Sequence, residues 1–215
     1  MNVFILKLLT MLLLGVYAPG RQSPAEDWVL KNEVDGIRTY TRATNTSFKE
    51  LKMVTELDAS LSSMVAVLGD KDALKYWVYN CSDSYFLHKV SATETYHYQQ
   101  TDMPWPLEKR DVVIHAHLTQ DPVTKVVVIT ATGIQDYYPL KEGVIRVPEL
   151  RGKWVIKPIG PNRVYVENYI FTNPGGDLPA WLVNLAITEG PTRSIQNLKK
   201  RLPGYAGAQL AYIRE

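Results

Sequence analysis

The chain has 215 residues, of which 46% are hydrophobic and 21% are charged. This balance is typical of one globular domain and argues against long disordered segments. The formal net charge of +2 is too small for the concentrated basic surface that nucleic-acid binding requires, and the single cysteine, Cys81, excludes an intrachain disulfide and a cysteine-based metal site.

The N-terminal segment differs from the rest of the chain. Lys7 is the only charge in the first 18 residues, an apolar run follows over residues 8–17, and Pro19 and Gly20 come after it. This pattern predicts a secretory signal peptide over residues 1–20, a single mature domain over residues 21–215, and an exported protein that is periplasmic or secreted. The alternative is an uncleaved membrane anchor, although the apolar run is shorter than the roughly 20 residues of a membrane span.

The next segments predict two strands and short helices. A short helix is expected over residues 24–31, and alternating residues predict strands over 36–42 and 48–58. A helix then follows Ser60, because Leu61, Met64 and Leu68 recur at helical spacing. A second short helix is expected over residues 71–79, with Trp77 on one side.

Strands dominate the central part of the sequence. Alternation and turn residues predict strands over residues 85–90, 94–101, 111–119, 125–132, 152–158 and 163–171. The four β-branched residues at 126–129 favour a central position in the sheet. A final helix is predicted from Pro179 to about Leu202, with a bend at Gly190 and Pro191. Early helices, a run of antiparallel strands and a long terminal helix predict an α+β domain.

Several short motifs occur in an order that resembles the steroidogenic-acute-regulatory-related lipid-transfer (START) domain family. They are Gly36-Ile37 with Tyr40 and Arg42, Phe48-Lys49-Glu50, Trp77, Pro104-Trp105-Pro106, Arg110-Asp111, Gly143-Val144-Ile145-Arg146 and Pro174-Gly175-Gly176. The resemblance covers the chain from about Trp28 to Leu202. It implies a helix-grip fold, in which a curved antiparallel sheet wraps a long C-terminal helix, and a tunnel between them that binds and possibly transfers a lipid or other hydrophobic ligand.

The residues of the expected tunnel come from one strand and from the final helix. Alternation places the row from Val112 to Leu118 inward and His115 and His117 outward. Family members often carry a charged residue at the position of Ala116, so here the ligand is expected to be held by shape and apolar contact alone, or by a polar group elsewhere, such as Tyr96, Tyr98 or Asn168. The predicted ligand-binding residues are Val112, Ile114, Ala116, Leu118, Tyr96, Tyr98, Leu140, Val144, Val183, Ile187, Ser194 and Leu198.

The segment 138–148 matches a loop that helps to close the tunnel mouth in the family. Leu140 and Val144 give it an apolar tip, which suits a gate for ligand entry. Two alternatives are open for this segment: an ordinary strand start, and transient contact with a membrane.

Catalytic and metal-binding patterns are weak. His97, His115 and His117 would provide three zinc ligands only if a hairpin brought them to one side of the sheet. No nucleophile motif or phosphate-binding loop is present. We therefore expect a non-catalytic protein without cofactor or metal, whose partner is a lipid or hydrophobic small molecule. The alternative is a helix-grip enzyme, a cyclase or hydrolase, acting on a hydrophobic substrate in the same tunnel.

Overall fold

A computed structural model describes residues 28–215 of the chain. The predicted signal peptide lies outside the described residues. The strands are β1 (Val29–Val34), β2 (Ile37–Arg42), β3 (Glu50–Leu57), β4 (Cys81–Lys89), β5 (Glu94–Thr101), β6 (Lys109–Gln120), β7 (Val127–Ile134), β8 (Val144–Arg146), β9 (Glu149–Gly160) and β10 (Arg163–Asn173). The helices are α1 (Leu61–Gly69), α2 (Ala180–Ala186) and α3 (Glu189–Arg201), with single 3-10 turns at Leu74–Tyr76 and Leu202–Tyr205.

All ten strands belong to one sheet. Its order is β1-β2-β3-β10-β9-β7-β6-β5-β4, and every neighbouring pair on this path is antiparallel. The short strand β8 pairs in parallel with the start of β6. The β-branched run lies at the start of β7, inside the sheet, as predicted. The α+β prediction is confirmed, whereas the helix predicted over residues 24–31 is wrong over its described end, where β1 begins at Val29.

The hydrophobic core lies on one face of the sheet, which we call the inner face. Buried residues of seven strands form one cluster with α1 and α3, which includes Ile37, Met53, Leu118, Ile156 and Val166 from the sheet, Met64 and Val65 from α1, and Ile195 and Leu198 from α3. Full burial of such a side chain contributes about 1.5–3 kcal/mol. This cluster therefore fixes both helices against the sheet.

Helix α1 begins where the sequence predicts. Ser60 is its N-cap, with its hydroxyl oxygen accepting from the Ser63 backbone N–H at 3.1 Å. The carboxylate of Glu215 accepts from the backbone N–H groups of Leu61 and Ser62 at 2.9 and 2.8 Å. Two side chains thus satisfy three N–H groups that a helix start leaves without partners.

The final helix is divided into α2 and α3, and the predicted bend at Gly190 and Pro191 is displaced. The regular helix is interrupted at Ile187 and Thr188, ahead of the proline, although both residues keep right-handed helical dihedral angles. A proline ring clashes with the carbonyl four residues before it, which here is that of Ile187. Pro191 is tolerated in the first turn of α3, because N–H groups there have no helical partner. Within residues 28–215, no helix is long and apolar enough to cross a membrane.

Polar contacts join one turn of α3 to two different elements. Toward β2, the hydroxyl oxygens of Thr192 and Thr39 are 3.3 Å apart. Toward the segment before β4, the Ser194 hydroxyl accepts from the backbone N–H of Tyr79 at 2.9 Å. Because β2 and β4 lie near opposite edges of the sheet, α3 links the two sides of the inner face.

Candidate functional site

Space remains between the inner face and the helices. Ile129, Trp154 and Ile170 point to the same side as the core, since strand pairing places Ile129 opposite Trp154 and Ile170 opposite Gly152. Their neighbours Val127 and Ile156 are 0% exposed, but these three remain only partly buried. The helices therefore leave part of an apolar wall accessible.

A cavity of about 360 Å³ opens beside this wall, between α1, the inner face and the C-terminal residues. Its lining includes Val65, Leu68, Lys71, Phe86, Thr95, Ala116, Leu118, Ile129, Leu210 and Tyr212. A second cavity of about 490 Å³ lies between the start of α1 and the β9–β10 turn, and none of the predicted ligand-binding residues lines it. The first cavity is thus the one that involves the predicted site.

The predicted inward row of β6 is divided between two environments. Ala116 and Leu118 line the first cavity. Val112 and Ile114 instead form a small buried cluster with Val147. His117 is exposed on the other face, as the alternation predicts.

Tyr96 and Tyr98 lie on the opposite face of the sheet, so their predicted place in the tunnel is wrong. Tyr98 pairs with Val113 and Tyr96 with His115, both of which alternate with the inward row. The Tyr96 ring stacks on the ring of His115, with centroids 4.5 Å apart. On this outer face, Tyr98 is 0% exposed and its ring stacks on Tyr85, with centroids 4.9 Å apart.

His97 is the β5 side chain that faces inward. It pairs with Ile114 of β6 and Phe86 of β4, and it is 4% exposed. Burial, and next to it the positive charge of Lys71, hold the pKa of His97 well below its usual range. A three-histidine zinc site is therefore not assembled, because His97 and His115 lie on opposite faces of the sheet.

The segment 138–148 is attached to the outer face by one buried ion pair. Arg146 donates from Nε and Nη2 to the two carboxylate oxygens of Asp111, at 2.7 and 3.2 Å. The same guanidinium donates to the backbone carbonyls of Gln135, Tyr138 and Pro139 at 2.8, 3.2 and 3.3 Å. These contacts fix the segment on both sides of its tip.

Two predicted residues of this segment do not line the inner space. Leu140 is 73% exposed. Val144 points to the same side of β8 as Arg146, which is the outer side, so the alternation of β8 turns Ile145 inward. Ile145 approaches Gly176, where an added Cβ would be 2.9 Å from its Cδ1 atom.

Arg110 joins two loops at this end of the sheet. Its guanidinium donates to the carbonyl of Glu108, after the Pro-Trp-Pro loop, and to that of Gly175 at 3.4 Å. The residue is 5% exposed, and burial lowers the pKa of its guanidinium. Arg110 therefore connects the end of the Pro-Trp-Pro loop to the Pro-Gly-Gly turn.

The four predicted helix residues have different surroundings. Val183 and Ile187 are half-buried, and Ile187 packs against the edge of the core. Leu198 is 0% exposed and is part of the core. The Ser194 hydroxyl donates to the carbonyl of Gly190 and accepts from the N–H of Tyr79, so it is engaged by protein groups.

Sequence reasoning missed the inward-facing ionisable groups. Lys71 follows α1 and is 9% exposed, with its ammonium donating to the carbonyl of Leu68 at 2.8 Å. Burial lowers the pKa of Lys71 to about 8, although Asp70 partly opposes this. Alternation places His97 on the face opposite Tyr96 and Tyr98, but the aromatic neighbours offer no contrast in polarity that would show which face is inward. No local pattern signals the burial of Lys71.

Comparisons with known proteins agree with this arrangement. The START domain family model matches residues 18–204. An uncharacterised protein of Pseudomonas aeruginosa is 31% identical over 192 residues, which cover 89% of this chain and 94% of that protein. The rat (Rattus norvegicus) phosphatidylcholine transfer protein is also 31% identical over 192 residues, covering 86% of this chain and 89% of its own length.

Solved structures show the same fold. The crystal structure of a STAR-related lipid transfer protein from Xanthomonas axonopodis superposes with a TM-score of 0.76 at 30% identity, covering 82% of this chain and 98% of that one. Human StAR-related lipid transfer protein 5 superposes with a TM-score of 0.74 over 86% of this chain and 89% of its own, and at 17% identity it shows the fold alone. The predicted helix-grip architecture is confirmed, and the chain belongs to the START domain family.

Proposed function

We propose that this protein binds a lipid or another hydrophobic small molecule between the inner face and the helices, and transfers it without catalysing a reaction. The observation that carries this proposal is the apolar wall at Ile129, Trp154 and Ile170, which the helices leave partly accessible. A ligand there gains about 25 cal/mol for each Å² of apolar surface removed from water. The relatives named phosphatidylcholine transfer protein support lipid transfer.

The first test is the composition of the protein purified without detergent. Native mass spectrometry of residues 21–215, followed by organic extraction, is expected to find one lipid bound per chain. A protein that stays empty after incubation with total membrane lipid would contradict the proposal. A released reaction product, in place of an unchanged ligand, would favour the alternative of an enzyme acting in the same space.

A pair of tryptophan substitutions tests where the ligand lies. Ala116 is 7% exposed and lines the cavity, so Ala116→Trp should fill that space and abolish lipid retention. Thr130 is exposed and pairs with His117 on the outer face, which makes Thr130→Trp the matched control. Circular dichroism establishes that both variants fold. Equal lipid retention by the two folded variants would place the ligand elsewhere.

Ligand entry requires an element that moves, and within this proposal that element is α2. None of its residues is buried, and Trp181 and Leu185 are 68% and 75% exposed. The Asn184 side chain fastens it to the β2–β3 loop, accepting from the N–H of Lys49 and donating to the carbonyl of Ser47, both at 2.9 Å. The segment 138–148, predicted as the gate, is held by Arg146 and forms the fixed rim.

Loss of the Asn184 contacts should therefore speed ligand exchange. Asn184→Ala removes both hydrogen bonds of the Asn184 side chain to the β2–β3 loop, and we expect faster transfer of a fluorescent lipid between vesicles with little change in equilibrium binding. Gln196→Ala is the control, because it removes a comparable exposed hydrogen bond to Asp35 from α3. Equal transfer rates for the two variants would show that α2 does not limit exchange.

The exposed apolar residues near α2 suit transient contact with a membrane. Trp105 is 93% exposed, and its loop meets the turn before α2 at Arg110. Exposed Trp and Leu side chains enter the interfacial region of a bilayer. Trp181→Ser with Leu185→Ser should reduce co-sedimentation with vesicles and leave the melting temperature unchanged. Unchanged co-sedimentation would exclude α2 from the contact.

Export is part of the same proposal. The features of residues 1–20 support cleavage and a mature chain that begins near Arg21. Expression of the full chain in a Gram-negative host, followed by fractionation and N-terminal sequencing, should find the shortened protein in the periplasm. Retention of uncleaved chain in the cytoplasm would contradict this part of the proposal.

A further inference from the structure

We propose that Lys71 and His97 form the head-group site of the cavity, and that they bind the anionic oxygens of a single-chain amphiphile. The head group is a carboxylate or a phosphate monoester, and the hydrocarbon chain lies along the apolar wall. This inference rests on the proposed lipid-binding function and specifies the chemistry of its ligand.

The first argument is the incomplete neutralisation of Lys71. Its ammonium donates to the carbonyl of Leu68 at 2.8 Å, and no described carboxylate forms an ion pair with it. The neighbouring Asp70 carboxylate is engaged elsewhere, accepting from the Tyr205 hydroxyl at 2.7 Å and from the N–H of Ala73 at 3.2 Å. A buried ammonium without a counter-charge is costly, so a buried lysine is normally paired. An anionic ligand would supply the missing charge.

The second argument is the unsatisfied nitrogen of His97. The residue is 4% exposed, and its Nδ1 atom has no hydrogen-bond partner among the described residues. His97 pairs with Phe86, which lines the same cavity as Lys71, and the charge of Lys71 contributes, after burial, to the lowered pKa of His97. A neutral imidazole and an ammonium together offer N–H donors from two directions, which suits a head group with two or more oxygens.

The third argument is the shape of the cavity around these groups. Lys71 is in the lining, and so are Phe86, which pairs with His97, and Thr95, the next residue of β5 on the same inward face. The remaining wall is mostly apolar, with Leu68 and Leu118 among its members. The volume of about 360 Å³ is close to the lower end of the roughly 300–1,000 Å³ of ligand pockets, which favours one hydrocarbon chain over two.

The test compares three probes that share one chain: oleate, oleyl phosphate and oleyl alcohol. Isothermal titration calorimetry of the delipidated protein at pH 7 is expected to show at least about tenfold tighter binding of an anionic probe than of the alcohol, because hydrogen bonds to charged groups are the stronger ones. Preference for oleate would identify a carboxylate ligand, and preference for oleyl phosphate a phosphate ligand; either supports the site.

Lys71→Met should remove the preference for the anionic probes over oleyl alcohol. The control is Lys75→Met, since Lys75 is exposed in the following turn and lies over the ring of Tyr76. His97→Phe keeps a ring of similar size and should reduce the preference in part. Removal of a buried cation should not impair folding.

One measurement on the wild-type protein is independent of all variants. In ¹³C NMR of bound oleate labelled at the carboxyl carbon, the carboxyl should titrate at a lower pH than oleate in vesicles, because a neighbouring ammonium favours its ionised form. Equal affinity for the three probes, or a preference that Lys71→Met retains, would overturn the head-group site while leaving lipid binding intact. Failure to bind any of the probes would overturn both proposals.

Discussion

Replacing Asp111 by Asn should lower the free energy of unfolding by about 3–5 kcal/mol, the usual cost of removing one partner of a buried ion pair. The side chains of Asp111 and Arg146 are only 1% and 5% exposed, and two hydrogen bonds join them. Asparagine keeps the shape of the aspartate but leaves the guanidinium without a counter-charge. Three backbone carbonyls hold that guanidinium in place, so it cannot turn toward water without releasing the loop.

The loss would be a large part of the 5–15 kcal/mol that stabilises a typical domain, so denaturant unfolding can measure it readily. The matched control is Glu149→Gln. The Glu149–Arg151 pair joins oxygen and nitrogen at 3.2 Å with side chains 45% and 60% exposed, and such surface pairs contribute about 0–1 kcal/mol. Asp111→Asn combined with Arg146→Met should recover part of the loss, because both charges are then removed. If Asp111→Asn costs no more than Glu149→Gln, the reasoning from burial is refuted.

Three further predictions follow from single positions. Glu215→Gln should cost about 1 kcal/mol at pH 7, since Glu215 caps two N–H groups of α1. Burial raises the pKa of Glu215, but hydrogen bonds outweigh this effect and lower it. The stabilisation by Glu215 is therefore present above the unfolded pKa of about 4.3 and is lost as the pH falls through the folded pKa. A difference in urea unfolding between wild type and variant that persists at pH 2 would contradict this. Gly175→Ala should lower the free energy of unfolding more than Gly36→Ala in the same assay. Both glycines have φ near +70°, but only at Gly175 would a Cβ lie 2.8 Å from a proline side chain. Equal losses of stability would refute the close approach. Burial raises the pKa of Cys81 to about 11, so native protein at pH 8 should react with iodoacetamide far more slowly than protein unfolded in urea, and similar rates would show an accessible thiol.

The sequence predicted a side chain's face correctly where polarity alternates. In β6, apolar Val112 and Ile114 alternate with the histidines, and the structure places the two groups on opposite faces. In β5, aromatic Tyr96 and Tyr98 alternate with His97 and offer no such contrast. The orientation of β5 is set by its register with β6, which pairs Tyr98 with Val113, and a single sequence does not give this register.

The division of the final helix into α2 and α3, and the position of α3 on the sheet, were predictable only in part. The prediction of a C-terminal helix with a break near Pro191 was correct. The clash between a proline ring and the carbonyl of residue i−4 would have placed that break at Ile187. The contacts of Ser194 with Tyr79 and of Thr192 with Thr39 join residues more than 100 positions apart in the chain. Such contacts depend on how α3 lies across the sheet, which local periodicity does not encode.

The apolar wall and the polar groups of the inner space have different roles in the proposed binding. The apolar wall of β7, β9 and β10 is built into the sheet, and its partly accessible residues give affinity to any apolar chain without selecting among head groups. In the proposed head-group site, selection comes from the Lys71 ammonium, which forms no ion pair with a described carboxylate, and from the Nδ1 atom of His97, which has no hydrogen-bond partner among residues 28–215. A ligand that satisfies them completes the core, so the bound protein should be more stable than the empty one by RT ln(1 + [L]/Kd). Stabilisation of the delipidated protein by an anionic amphiphile beyond that by its neutral alcohol would therefore report the same selection as the binding measurement, through an independent quantity.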